Sequence, residues 1–260
     1  ISYNFLNPII TRNENKGLPS KQQAEEMMKS LEEAGIGKRP ILFITHSNGG
    51  ILTKEMLLCC MKDSSSTKRR ILLQTIGIIF YSTPHLGVDI RSVKRISDAG
   101  IFDLLFGSEG KPIKDLEFEN KNIISLRDEF SILSHTIPTI NYYETKKVGG
   151  KIEVVKEESS CGGELKRNEN HPVEKDHITI CKPQSKQVDH YKKTLGFIEK
   201  RYKEYKEDKH RELIEFLEEN DLLSSYLLPL LARIFFHLSN YLQKHGYEEF
   251  KELRYLTDMS

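Results

Sequence analysis

A serine hydroxyl becomes a useful nucleophile only when a base removes its proton during attack and donors already await the oxyanion that forms. Ser47 stands where both demands can be met. Ile41-Leu42-Phe43-Ile44 reads as a short buried strand, Gly49-Gly50 opens a helix, and Ser47 falls at the turn between them in Thr45-His46-Ser47-Asn48-Gly49. Such a strand-to-helix turn projects the serine Oγ above a sheet, and small neighbours let the backbone close. The backbone N–H of Asn48, the residue after the nucleophile, is the expected oxyanion donor, aided by the positive end of the helix behind it. Thr45 departs from the pattern, which prefers glycine there. A short β-branched residue strains the turn without forbidding it.

For this kind of turn the partners are expected in the order serine, acid, histidine, each at the carboxyl end of a later strand. Glu144 closes the run Ile137-Pro138-Thr139-Ile140-Asn141-Tyr142-Tyr143, the third strand counted from the turn, and is the expected acid. Its carboxylate would hold an imidazole in the tautomer that leaves Nε2 free to accept the serine proton. His177, in Asp176-His177-Ile178-Thr179-Ile180-Cys181, follows a fourth strand after a loop, precedes the last helix, and is the expected base. Asp176 is the reserve acid, disfavoured because it adjoins the base, and His171 is a second histidine in the same loop. His85 comes too early in the order and is assigned, with His46, to the site rim. His46 is expected to point away from the base. No spacing suited to a metal emerges, and no cofactor is implied.

These residues need a scaffold. Pro19-Ser20-Lys21-Gln22-Gln23 sets a capping box, and a helix follows to Ala34, ended by Gly35. A helix from about Gly49 to Lys62 follows the serine, and the run Ile76 to Tyr81 ends in Ser82-Thr83-Pro84-His85-Leu86-Gly87. The fourth strand is read at Ile152-Glu153-Val154-Val155. Strands alternating with helices give an α/β protein whose parallel sheet has helices on both faces. The stretch 86–134 is a cap-like helical insertion, with amphipathic pieces such as Ile101 to Phe106. From Val188, Tyr191, Leu195, Ile198 and Tyr202 recur at helical spacing and describe a helix packed on the sheet. Past Asp208 the composition turns leucine-rich and strandless, so two domains are expected, 1–207 and an all-helical 208–260.

Composition excludes some partners. With 38% hydrophobic and 30% charged residues and a formal charge of +1, no field would recruit nucleic acid. The longest apolar run, Tyr226 to Phe236, is broken by Pro229 and Arg233, so no transmembrane segment is expected. Cys59-Cys60, Cys161 and Cys181 form no disulfide framework, which suits an intracellular, cytoplasmic protein.

The blocks Ile44 to Leu52, Ser82 to Gly87, Tyr142-Tyr143-Glu144-Thr145 and Asp176 to Lys182, in this order, resemble the serine active site-containing (SERAC-type), lipase-like α/β-hydrolase family. The resemblance covers roughly residues 1–200. It implies an α/β-hydrolase fold, a Ser47, Glu144 and His177 triad, and hydrolysis or transfer of acyl groups of lipid or small esters. It also implies a place in phospholipid remodelling or lipid trafficking near mitochondria and endoplasmic reticulum. Asn48 stands where the family more often has methionine. The family has strands and an oxyanion loop before the element seen at Ile1 to Phe5, so the expectation is a domain truncated at its amino end and weak in activity. The tail, with Leu213 to Asn220, Leu227 to Leu231 and Gly246 to Thr257, is similar to a sterile alpha motif or else a plain helical extension. That tail motivates the competing reading, a degenerate hydrolase used as a platform for protein partners or self-association.

Overall fold

Four short runs, the first three rich in β-branched and aromatic residues, pair side by side in chain order, all parallel: β1 (Ile41–His46), β2 (Thr75–Tyr81), β3 (Thr139–Glu144) and β4 (Glu169–Val173). The structure is a computed structural model and describes residues 20–62, 66–89, 117–162 and 169–208. The chain divides into two compact units, 1–207 and 208–260. The expected sterile-alpha-motif-like tail lies outside the described residues, as do Ile1 to Phe5 and Ile101 to Phe106.

Parallel strands need crossovers, and helices supply them. α1 (Ser20–Glu33) precedes β1, α2 (Asn48–Lys62) and α3 (Ser66–Leu73) join β1 to β2, and α4 (Lys121–Leu133) precedes β3. A single turn, α5 (Glu157–Ser160), lies between β3 and β4, and α6 (Asp189–Glu207) follows β4. α1 ends on Gly35, whose φ of 68° lets the amides of Gly35 and Ile36 turn back onto the carbonyls of Glu32 and Leu31.

The period of two along each strand separates the core into two layers. Ile78 and Phe80 face a cluster containing Ala24, Met27, Met28 and Leu31 of α1, Leu52, Met56 and Leu57 of α2, and Ile123, Leu126 and Phe130 of α4. Ile79 and Tyr81, with Ile140, Tyr142 and Val173, face the other side, where Phe197 and Ile198 of α6 pack. Both faces are therefore covered, as a parallel sheet requires. Gly77 makes room for α6, since a Cβ there would lie 2.9 Å from the Phe197 ring.

Three expectations change. The fourth strand is Glu169–Val173, not Ile152 to Val155. Only Ile152 makes a β-bridge, to Val148, and the amides of Val154 and Val155 are spent on the Glu144 carboxylate instead of a strand ladder. The helix α4, inside the expected cap, buries Ile123, Leu126, Phe130 and Leu133 in the main core, while 90–116 lie outside the described residues. On α6 the inward stripe runs through the buried His190 and the half-buried Thr194, Phe197, Ile198 and Arg201, whereas Leu195 and Tyr202 are exposed. Apolar identity misplaces that stripe because a histidine, a threonine and an arginine stem occupy it.

One core residue opposes the hydrophobic effect. Lys54 of α2 is 1% exposed, its Nζ lies 5.1 Å from the Phe130 ring centre and 5.6 Å from that of Phe80, and it has no hydrogen-bond partner among the described residues. Burial, reinforced by the Arg127 charge, pushes its pKa down from 10.5 to about 7. The unfolded chain therefore binds a proton that the folded chain does not hold between those values, and stability falls as pH drops from 10.5 towards about 7. Denaturant unfolding should show a Lys54→Met variant exceeding the parent at pH 7 by roughly 2 kcal/mol or more. That gap should narrow by up to about 1.4 kcal/mol per pH unit as pH rises towards 10.

Candidate active site

Each chemical group of the site hangs on the carboxyl end of a strand. β1 ends at His46, and Ser47 enters the left-handed region with φ of 53° before α2 begins at Asn48. A non-glycine residue held there costs about 1–3 kcal/mol, so the turn must be held from outside. The Ser47 amide donates to the Tyr81 carbonyl at the end of β2, and its own carbonyl accepts from the Gly50 amide, at 2.9 Å and 3.1 Å. Gly50 is required, since a Cβ there would stand 2.2 Å from Thr83 Oγ1, 2.5 Å from Thr83 Cγ2 and 2.9 Å from the Phe80 ring. Thr45 fits because its hydroxyl donates to the Ile79 carbonyl on β2 at 3.1 Å.

The structure brings the three expected residues into one chain of hydrogen bonds. Ser47 Oγ lies 2.9 Å from His177 Nε2, and His177 Nδ1 lies 2.6 Å from Glu144 Oε2. The second carboxylate oxygen, Oε1, accepts the amides of Val154 and Val155 at 3.1 Å and 3.2 Å. His177 is fully buried and Glu144 nearly so, while Ser47 keeps 8% of its surface open. With Glu144 accepting, Nδ1 carries the proton and Nε2 presents its lone pair to the serine hydroxyl.

The remaining candidates take other roles. Asp176 does not face the imidazole; its Oδ1 accepts from the amides of Ile178 and Thr179 and from the Thr179 hydroxyl, shaping the turn that carries His177. His171 lies on β4 beside Tyr142 and Glu169. His85 is 1% exposed, so it lines no open rim. It sits edge-on to Phe80, its Nε2 donates to Asn141 Oδ1 at 3.2 Å, and burial with the nearby Lys54 charge holds its pKa well below the ordinary value. His46 does not point away from His177, the expected base. Its Nε2 lies 2.7 Å from the His177 carbonyl oxygen and the two rings are 4.9 Å apart. Asn48 is the first residue of α2, so its backbone N–H faces outward from a helix end beside Ser47.

No protein-family model matches the chain. Among curated proteins it is 34% identical over 199 residues to Protein SERAC1 of Danio rerio, covering 72% of this chain and 27% of the fish protein. It is 34% identical over 183 residues to Protein SERAC1 of Homo sapiens, covering 68% of this chain and 26% of the human one. The chain belongs to the SERAC-type α/β-hydrolases. This SERAC-type chain spans about a quarter of the length of those relatives. Looser likenesses of shape include the Bacillus licheniformis lipase BlEst2, with a TM-score of 0.48 and 15% identity over 66% of this chain and 73% of that one. A carboxylesterase structure from Nitrososphaera gargenis gives 0.47 and 11% over 74% and 76%. At that overlap nothing about the SERAC-type chain's chemistry follows from them.

Several residues that shape the site were missed in a reading of side-chain types. Val154 and Val155 serve the carboxylate through their backbone amides. Ser159 accepts from the Leu86 amide and donates to the Gly87 carbonyl, fastening α5 to the segment after β2. Asn141 joins His85 to Asn170. A polar residue in the middle of the apolar run Ile137 to Tyr143 was the available signal for Asn141. Gly50→Ala should destabilise the chain by about 2–4 kcal/mol in thermal or denaturant unfolding, because backbone and a buried threonine must part. Adding Thr83→Ala should recover more than half of that loss; a Gly50→Ala variant as stable as its parent would contradict the contact.

Proposed function

We propose that the chain is a serine hydrolase of the esterase or lipase class that forms an acyl-enzyme on Ser47. The supporting observation is the continuous bond chain from Ser47 Oγ through His177 to Glu144, assembled at the carboxyl edge of a parallel sheet by residues 130 and 33 positions apart.

As Ser47 Oγ attacks the ester carbonyl carbon, its proton passes to His177 Nε2. The imidazolium so formed keeps its Nδ1–H on Glu144, whose buried negative charge stabilises it. The carbonyl oxygen becomes an oxyanion that the Asn48 backbone N–H receives, at the positive end of α2. Collapse breaks the bond to the alcohol, which leaves with the proton from His177 Nε2. Water then attacks the acyl-enzyme, His177 takes its proton, and the second collapse releases the acid and returns the proton to Ser47. The family resemblance directs this chemistry to lipid esters. Among the described residues no metal-holding cluster occurs and no helix is long and apolar enough to cross a membrane.

A fluorophosphonate probe should label the chain at Ser47, and Ser47→Ala should abolish labelling; equal labelling of both sinks the reading. Glu144→Gln removes the charge, and because the Val154 and Val155 amides keep its carbonyl oxygen as their acceptor, its NH2 faces His177 Nδ1 and favours the wrong tautomer, so hydrolysis of a p-nitrophenyl ester should fall by about 10³-fold or more. Comparing acetyl with long-chain and phospholipid esters tests the substrate class, and a rate that rises with chain length is expected.

A further inference from the structure

His46 is bound more closely to the base than its place beside the nucleophile required. Its side chain lies on β1, half-buried, with Nε2 2.7 Å from the carbonyl oxygen of His177. A carbonyl only accepts, so Nε2 carries the proton and donates it. His46 is also bonded through the backbone to Ser47. A closed circuit results: Ser47 backbone, His46 ring, His177 carbonyl, His177 ring, and back to Ser47 Oγ at 2.9 Å. Asp176 shapes the loop carrying His177 from within by gathering the amides of Ile178 and Thr179, and on the β3 side the loop is tied by the Lys146 amide on the Lys175 carbonyl and by Glu144 on the His177 ring; His46 is its bond to β1.

We propose that His46 is a positioning residue for the reaction, a neutral donor that clamps the main chain of His177 to the strand carrying Ser47 and so sets the distance between base and nucleophile. This rests on the hydrolase reading above. On the β1 side, the separation of nucleophile and base is then set by short covalent paths and one hydrogen bond, in addition to the hold that Glu144 has on the ring. Misplacement of reacting groups by an ångström costs rate steeply while leaving substrate contacts intact, so the effect falls on turnover.

The clamp must also stay uncharged. A second imidazolium 4.9 Å away would oppose the positive charge that His177 gains as it takes the serine proton. Burial, followed by the neighbouring His177, lowers the His46 pKa to about 4, so above that pH it remains a neutral donor.

Glutamine and methionine test this on the full 260-residue chain, because they are close in size and only glutamine carries a terminal N–H. His46→Met should lower kcat for a p-nitrophenyl ester, and the rate of fluorophosphonate labelling, by about 10- to 100-fold with KM within about twofold. His46→Gln should recover most of that loss. In proton NMR the downfield Nδ1–H of His177 should shift or broaden in His46→Met and persist in His46→Gln. Equal loss in both variants, or a methionine variant like the parent, overturns the proposal. Nitrogen-15 shifts of the unaltered chain give a check that needs no variant: His46 must be the Nε2–H tautomer, and an Nδ1–H tautomer overturns the proposal even if the variants fail to fold. If the parent chain is not labelled at Ser47, the hydrolase reading fails, while the NMR comparison still decides the clamp.

Discussion

Glu144 places a carboxylate inside the protein, and a buried carboxylate is tolerated only if its oxygens are satisfied. The way this is done organises the whole carboxyl edge of the sheet. One oxygen takes the Nδ1–H of His177, and the other takes two backbone amides, from Val154 and Val155. To bring those amides there, the chain after β3 must fold back on itself, which leaves Val154 and Val155 buried in the core but outside the sheet. The loop after β4 must likewise return to bring the imidazole. A single charge thus specifies the path of two connections.

The other end of the same bond chain is held by packing. Ser47 occupies a backbone region that favours glycine, and it stays there because β2 accepts its amide and α2 approaches the segment after β2 at Gly50. Thr45 and His46, the residues before it, reach in different directions: one to the Ile79 carbonyl, the other to the His177 carbonyl. Ser47 and Glu144 therefore stand at strand ends, and the loop carrying His177 is bonded to both of them and to His46 of β1.

Beneath that frame the core is not wholly apolar. Lys54, His85 and Asn141 are all buried on the side of the sheet that α2 and α4 cover, and only part of their hydrogen-bonding capacity is used. Such groups lower stability relative to a hydrocarbon core of the same shape. Lys54 lies on α2, whose amino end forms the turn at Ser47, and rests over Phe80 and Phe130, so its polar cost falls on the helix that the site depends on.

By itself the sequence determined the alternation of strands and helices, the turn at Ser47 and the order in which Glu144 and His177 follow it, because each is written in local residue types and spacings. The strand at Glu169 to Val173 was not legible: Glu-Asn-His-Pro-Val lacks an apolar period, and only its pairing with β3 makes it a strand. For the same reason Ile152 to Val155, apolar and β-branched, read as a strand that tertiary structure did not form. The contact of His46 with His177 spans 131 positions and the amides of Val154 and Val155 have no side-chain signature, so neither could be read before folding brought them together. Residue types name the groups that can react. Their distances, burial and tautomers come from long-range contacts, which a one-dimensional pattern does not contain.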